Sequence, residues 1–226
     1  MFLTDSLPPE PNIREMKTTA IVPIKLNNER LPGKNTKMLG AKPLINYILD
    51  TLISVKDIDE IFVYCSNEAI CSCLPKQVSF MKRPEILDLP TSNFHQIFDS
   101  FMSRIDADIY VYAHATAPFV SGGTITDCIR KVKTGDYDSA FTAHKIQDYL
   151  WSNNKPLNFD ATNLPRSQDL EPIYRETSGI YVFTKAEYLQ NKRRIGDRPY
   201  IKEVSFKESI DINTAEDFEL AKLMLT

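Results

Sequence analysis

The sequence predicts an α/β protein: a doubly wound, mostly parallel sheet with helices on both faces, accompanied by a small irregular segment with some β structure. Three observations predict it. Runs of branched apolar residues such as "TTAIVPI" and "EIFVYCS" are short and almost wholly apolar, as strands buried on both faces of a parallel sheet are. They alternate with stretches of helical periodicity, the pattern of βαβ units. A length of 226 residues with 42% apolar content is enough for one sizeable core, so the chain reads as one globular domain with an arm.

The first sixteen residues, with three prolines among Leu7 to Pro11, show no periodicity and are expected to form a tail (1–16) ahead of a domain over 17–226. "TTAIVPI" from Thr18 is the first strand. "PLINYILDTLISV" follows as a helix, with Leu44, Ile45, Ile48, Leu49, Leu52 and Ile53 on one face. "EIFVYCS" is a second strand, followed by a short helical stretch from Asn67, and "VSFM" a third. Thr91 or Ser92 is expected to cap the next helix, "NFHQIFDSFMSRI", whose Phe94, Ile97, Phe98, Phe101 and Ile105 align. "DIYVYAHA" is a fourth strand, "GGTITDCIRKVKTG" a helix closed by Gly135, and "DSAFTAH" a fifth strand.

The alternation fails between about Trp151 and Arg175, where the chain is polar, Pro-containing and aperiodic; a connection this long in a compact domain usually serves function or an interface. "ETSGIYVF" restores a strand, "KAEYLQ" a short helix and "YIKEVS" another strand. "SIDINTAEDFELAKLMLT" closes the chain as a strand end and a helix that starts at Thr214, with Glu216 and Asp217 in its first turn.

Composition excludes several function classes. Net charge is −3, with 27 basic and 30 acidic residues scattered along the chain, so there is no basic footprint for nucleic acid or anionic membrane. No apolar run approaches the ~20 residues of a membrane span, and "MFLTDSLPPEPN" lacks the features of a signal peptide, so a cytoplasmic location is expected. Cys65, Cys71, Cys73 and Cys128 show no zinc spacing, and His95, His114 and His144 are too dispersed to form a ligand set.

Open α/β sheets bind ligands beyond the carboxyl ends of their strands. The loop after the first strand, within "IVPIKLNNERLPGKN", gathers Lys25, Arg30, Lys34 and Lys37 with Asn27, Asn28 and Asn35. Clustered cations and amides there suit a polyphosphate; a solvated Lys-rich turn is the equal alternative. Neither a dinucleotide-binding glycine pattern nor a P-loop is present. In "SIDINTAEDF", Asp211 and Asn213 are two residues apart, on one face if the segment is a strand, and supply hard oxygens suited to Mg²⁺; a helix-capping loop is the plainer alternative.

"AIVPIKLNNERLPGKN", "RPEIL", "HATAPF", "PRSQDL…TSGIYVF" and "SIDINTAEDF", in that order, resemble the acylneuraminate cytidylyltransferases, and "RLPGK" also resembles the KDO cytidylyltransferases. The resemblance runs from about Thr18 to the C-terminus. It implies a nucleotidyltransferase-type fold and a Mg²⁺-dependent reaction of CTP with a nine-carbon 2-keto sugar acid of the sialic, nonulosonic type, giving a CMP-sugar and pyrophosphate. It places Lys25, Asn27, Arg30, Lys34, Asn35, Ser66, Thr91 and Ser92 at the nucleotide, with Lys25, Arg30, Lys34 and Asp211 catalytic and Asp211 and Asn213 at the metal. His114, Arg166, Gln168 and Arg175 fall to the acceptor, the last three within a segment, 145–176, that implies acceptor binding and a homodimer. Trp151 and Leu157 are then interface anchors or core. The chain departs from the family at Lys25, usually Arg; at His114, often Gln; and at Asn213, which replaces the second metal carboxylate. A KDO-type, other or phosphorylated acceptor, or nucleotide binding without transfer, are the competing expectations.

Overall fold

The computed structural model describes residues 16–225, so the expected tail lies, apart from Met16, outside the described residues. Seven strands form the main sheet: β1 (Thr18–Ile24), β2 (Glu60–Cys65), β3 (Ser79–Lys82), β4 (Ile109–Ala113), β5 (Ser139–Ile146), β6 (Ile173–Thr184) and β7 (Pro199–Glu203). Their order is β7-β5-β6-β4-β1-β2-β3. β1 pairs parallel with β2 and β4, β2 with β3, and β5 with β7, while β6 is antiparallel to both of its neighbours.

The winding decides where a ligand can sit. From β1 the chain moves outward through β2 to β3, then crosses back to lay β4 on the other side of β1. The connections leaving β1 and β4 therefore diverge, and a crevice opens at their carboxyl ends.

Side-chain alternation along the strands makes two different cores. Ala20, Val22 and Ile24 of β1 pack in an aliphatic layer with helices α1 (Leu44–Ser54) and α3 (Gly122–Lys133). Ile21 points to the other face, which is aromatic: Phe98 and Phe101 of α2 (Phe94–Met102) and Tyr188 of α4 (Lys185–Asn191) meet Tyr64, Tyr110, Tyr181 and Phe183. A third cluster joins Leu31 and Leu39 of the opening loop to Ile210, Ile212 and Phe218, the last on α5 (Ala215–Leu223). That cluster brings the two ends of the domain together at the crevice.

Several local expectations change. Asn93, not Thr91 or Ser92, caps α2: its side chain accepts from the Gln96 amide, and the Gln96 side chain accepts from the Asn93 amide. The expected strand end at Ser209–Ile212 does not form; Ile212 N–H donates instead to the Thr116 carbonyl at 2.8 Å, which ties this segment to the loop after β4. β6 begins at Ile173, earlier than its apolar stretch, because Ile173–Glu176 pairs with the end of β5. Its register shifts between Glu176 and Tyr181, where Ser178 takes a left-handed φ of 57°. Between β5 and β6 the irregular segment carries only a two-residue hairpin, Trp151–Ser152 with Lys155–Pro156, and a turn at Ser167–Asp169. All four cysteines are free, Cys65 and Cys128 of them buried.

Candidate active site

The loop after β1 folds back on the opposite end of the chain. Gly33, at φ 64°, turns the backbone into a 3₁₀ turn at Lys34–Thr36; space is open around it, so the glycine answers to the left-handed backbone alone. Lys34 and Asn35 are then 8% and 4% exposed. Lys34 Nζ donates to the Ile212 carbonyl at 2.8 Å, and Asn35 Nδ2 to the Lys25 carbonyl at 2.9 Å. Burial pushes the Lys34 ammonium below its ordinary pKa, and nearby Asp211 opposes that shift. Exposed Arg30 donates from Nη2 to Asn213 Oδ1 at 2.7 Å. Lys34 and Asn35 are thus held by the chain itself and are not part of a freely solvated turn.

Asp211 and Asn213 do face one another although no strand holds them: Asn213 Nδ2 donates to Asp211 Oδ2 at 2.7 Å. The adjacent Asp217 caps α5, accepting from the amides of Asn213 and Thr214 at 2.8 Å each. Asp211 Oδ1 is buried with no hydrogen-bond partner. Among the described residues no group of three or more His, Cys, Asp or Glu side chains could hold a metal. A lone unpartnered carboxylate oxygen still fits Mg²⁺, which binds one or two carboxylates and fills its shell with water and phosphate.

Three cavities adjoin at this place. The largest, about 720 Å³, is bordered by Lys25, Asn27, Ser66, Lys82, Asp88 and Pro90. A second of about 310 Å³ shares Lys25 and Pro90 with it and is lined by Arg30, Lys34 and Asn28, whose buried Oδ1 is also unpartnered. A third, about 300 Å³, meets the second at Asn213 and contains Asp211, Arg175 and Ser209.

The predicted residues distribute unevenly around them. Ser66 donates to Asp88, which ion-pairs with Arg83. Arg83 is only 3% exposed, and the sequence assigns it no role; its signals are its place at the head of "RPEIL" and its position directly after β3, at a carboxyl end. Ser92 donates to the Ile86 carbonyl, and Thr91 stands exposed beside Pro90. His114, just past β4, bonds through Nδ1 to the Ser178 carbonyl. A carbonyl only accepts, so the ring proton sits on Nδ1 and Nε2 is left as an acceptor. Burial lowers the His114 pKa, and that carbonyl opposes the shift.

Arg175 donates to Ser209 Oγ at 3.4 Å and does not pair with Glu176. Glu176 pairs with Arg194 at 3.1 Å and accepts from Tyr181, over whose ring the Arg194 guanidinium lies at 3.9 Å. Arg166 forks its neighbour Asp169 at 2.7 and 3.0 Å, and the Gln168 carbonyl accepts from Gln147. Arg166 and Gln168 border none of these three cavities, and neither do Asn35, Thr91, Ser92 and His114. Trp151 and Leu157 are 61% and 58% exposed, so they are not core.

Residues 19–224 match the family model described as cytidylyltransferase. The chain belongs to the cytidylyltransferase family. An N-acylneuraminate cytidylyltransferase of Streptococcus agalactiae serotype III is 25% identical to this chain over 214 residues, 90% of this chain and 52% of that protein. The chain thus spans about half the length of that relative. A CMP-N,N'-diacetyllegionaminic acid synthase of Legionella pneumophila is 23% identical over 225 residues, 93% of this chain and 97% of that one. A CMP:2-keto-3-deoxy-manno-octonic acid synthetase solved with CTP superimposes with a TM-score of 0.67 over 92% of this chain and 98% of that one, at 14% identity, which shows a shared fold. No helix among the described residues is long and apolar enough to cross a membrane.

Proposed function

We propose that this cytidylyltransferase moves a CMP group from CTP to a hydroxyl of an acidic sugar of the nonulosonic class and releases pyrophosphate, in the cytoplasm where CTP is made. The observation that carries the proposal is the series of cavities at the β1/β4 crevice: a wide one for the nucleoside, a cation-lined one for the triphosphate, and one with Arg175 for an acid. The names of the streptococcal and Legionella relatives supply the substrate class.

In this reading the acceptor oxygen attacks the α-phosphorus in line, forming one P–O bond as the bond to the β-phosphate oxygen breaks. The protein's work is positioning and charge stabilisation. Lys25, Arg30 and Lys34 face the triphosphate, and Asn27, Asn35 and Ser66, with Thr91 and Ser92, shape the nucleotide side. Asp211 Oδ1 would hold Mg²⁺, whose charge offsets that of the phosphates and the leaving pyrophosphate. Arg175 suits the acceptor carboxylate, and the neutral His114, with Nε2 unprotonated, is the group to take the hydroxyl proton. The exposed Trp151 and Leu157 anchor a homodimer in which Arg166 and Gln168 serve the acceptor side of a shared site.

The test is pyrophosphate release from CTP and Mg²⁺ with N-acetylneuraminate, N,N'-diacetyllegionaminate, pseudaminate, KDO and a sugar phosphate in turn, with the CMP product identified by mass. Release with a nine-carbon acid is expected. Release with KDO alone would move the acceptor class, as "RLPGK" allows; release with only a phosphorylated acceptor, or CTP binding without any turnover, would sink the proposal.

A further inference from the structure

Asn213 stands at the junction of the second and third cavities, and both ends of its amide are engaged. Its neighbours dictate the orientation: Asp211 Oδ2 only accepts, so Nδ2 faces it at 2.7 Å, and the Arg30 guanidinium only donates, so Oδ1 faces it at 2.7 Å. The only side-chain atom with which Asn213 could ligate a metal is thus already in a charge-assisted hydrogen bond. A carboxylate at 213 would instead place two like charges within hydrogen-bond distance, an arrangement that needs a proton or a cation between them. An amide alone among the side chains of this size can receive a cation on one side and grip a carboxylate on the other.

We infer that Asn213 is a positioning residue and not a metal ligand: it links Asp211 to Arg30 and so fixes the Arg30 guanidinium in the cavity it shares with Lys25 and Lys34. Resting on the proposed CTP reaction, the inference divides the work at this site. Asp211 Oδ1 remains free and unpartnered for a cation, while its Oδ2, through Asn213, orients a protein cation toward the phosphates. The missing second carboxylate is answered by an arginine, so part of the hold on the triphosphate becomes independent of metal.

Calorimetric binding of CTP in EDTA and again in Mg²⁺, for the unaltered chain, Asn213→Ala, Arg30→Ala and the double variant, tests this. In EDTA each single variant is expected to bind about tenfold more weakly, the scale of one charge-assisted hydrogen bond. The double variant should be no weaker than Arg30→Ala, because the second change removes a support that no longer has anything to support. Melting temperatures should stay close together. Asn213→Ala with unchanged affinity in EDTA and a raised Mg²⁺ requirement would make Asn213 a ligand and overturn the inference, as would additive losses. Arg30→Ala alone, at an exposed position that does not endanger folding, keeps the question open to refutation: CTP affinity in EDTA equal to that of the unaltered chain would also overturn it. An unaltered chain that binds no CTP in either condition would refute the reaction itself, a different result from binding that ignores position 213.

Discussion

Lys34 is held by the chain as much as by any ligand. Its ammonium is tied to the Ile212 carbonyl inside a cluster that includes Leu31 and Ile212. Replacing it with Met keeps the aliphatic stem and removes only the charge and the donor. Lys34→Met is expected to cut turnover roughly a hundredfold or more, as loss of a charge-stabilising group does, and to lower stability by about 1–3 kcal/mol through the unpaired carbonyl. Steady-state kinetics and denaturant titration read the two effects separately; wild-type turnover with reduced stability would make Lys34 purely structural. His114 carries a pH signature. Its folded pKa lies below the ordinary 6.5, because burial disfavours the imidazolium, so the unfolded chain binds the proton more readily. The stability it contributes is complete above about pH 6.5 and falls away as the pH drops through the lower folded value. His114→Gln, whose amide can still donate to the Ser178 carbonyl, should flatten that acid-side loss; unfolding curves between pH 7.5 and 5 that keep the same slope would refute it.

At the scale of elements, the bulge in β6 and the aromatic layer fix the site from behind. Ser178 offers its carbonyl to His114 only because the register shift between Glu176 and Tyr181 turns the backbone there. Gly179, next along, has no room: a Cβ would lie 3.0 Å from both Thr142 Oγ1 and Val120 Cγ2. Gly179→Ala is therefore expected to destabilise the fold by about 1–3 kcal/mol, the cost of overpacking, and to disturb His114; thermal melting that matches the unaltered chain would refute the bulge's tight packing. Phe98 packs edge-on against Tyr188, Tyr110 and Phe183 at 4.5, 4.9 and 5.1 Å. Truncating it to Ala should cost about 3–5 kcal/mol, measured by denaturant titration, with CTP affinity retained under conditions where the chain is folded. These elements were legible because each announces itself locally: the apolar periodicity of α2 names Phe94, Phe98 and Phe101, and Gly135 closes α3 with φ 79°. The cap of α2 lies one or two positions beyond the expected Thr91 or Ser92 because Thr91, Ser92 and Asn93 can all cap, and only the reciprocal bond with Gln96 chooses among them.

At the scale of the molecule, the arm between β5 and β6 presents Trp151, Leu157 and Leu164, all exposed, to whatever covers it. If a second copy does so, light scattering after gel filtration will give twice the chain mass, and Trp151→Glu with Leu157→Glu will shift it to monomer with a weaker hold on the acceptor. A monomer in the unaltered chain would refute the dimer. The sequence by itself determined the fold class, the order of elements and the family, because apolar periodicity, turn residues and ordered motifs are local properties of the chain. It also put Lys34, Asn35 and Asp211 forward. Only the tertiary structure decided how they work together: that Lys34 reaches Ile212, that Arg30 takes the oxygen of Asn213, and that Arg83 is buried against Asp88. Those contacts join residues as many as 183 positions apart, and their distances and donors are set by the winding of β1 and β4 about the crevice, which no spacing along the chain encodes.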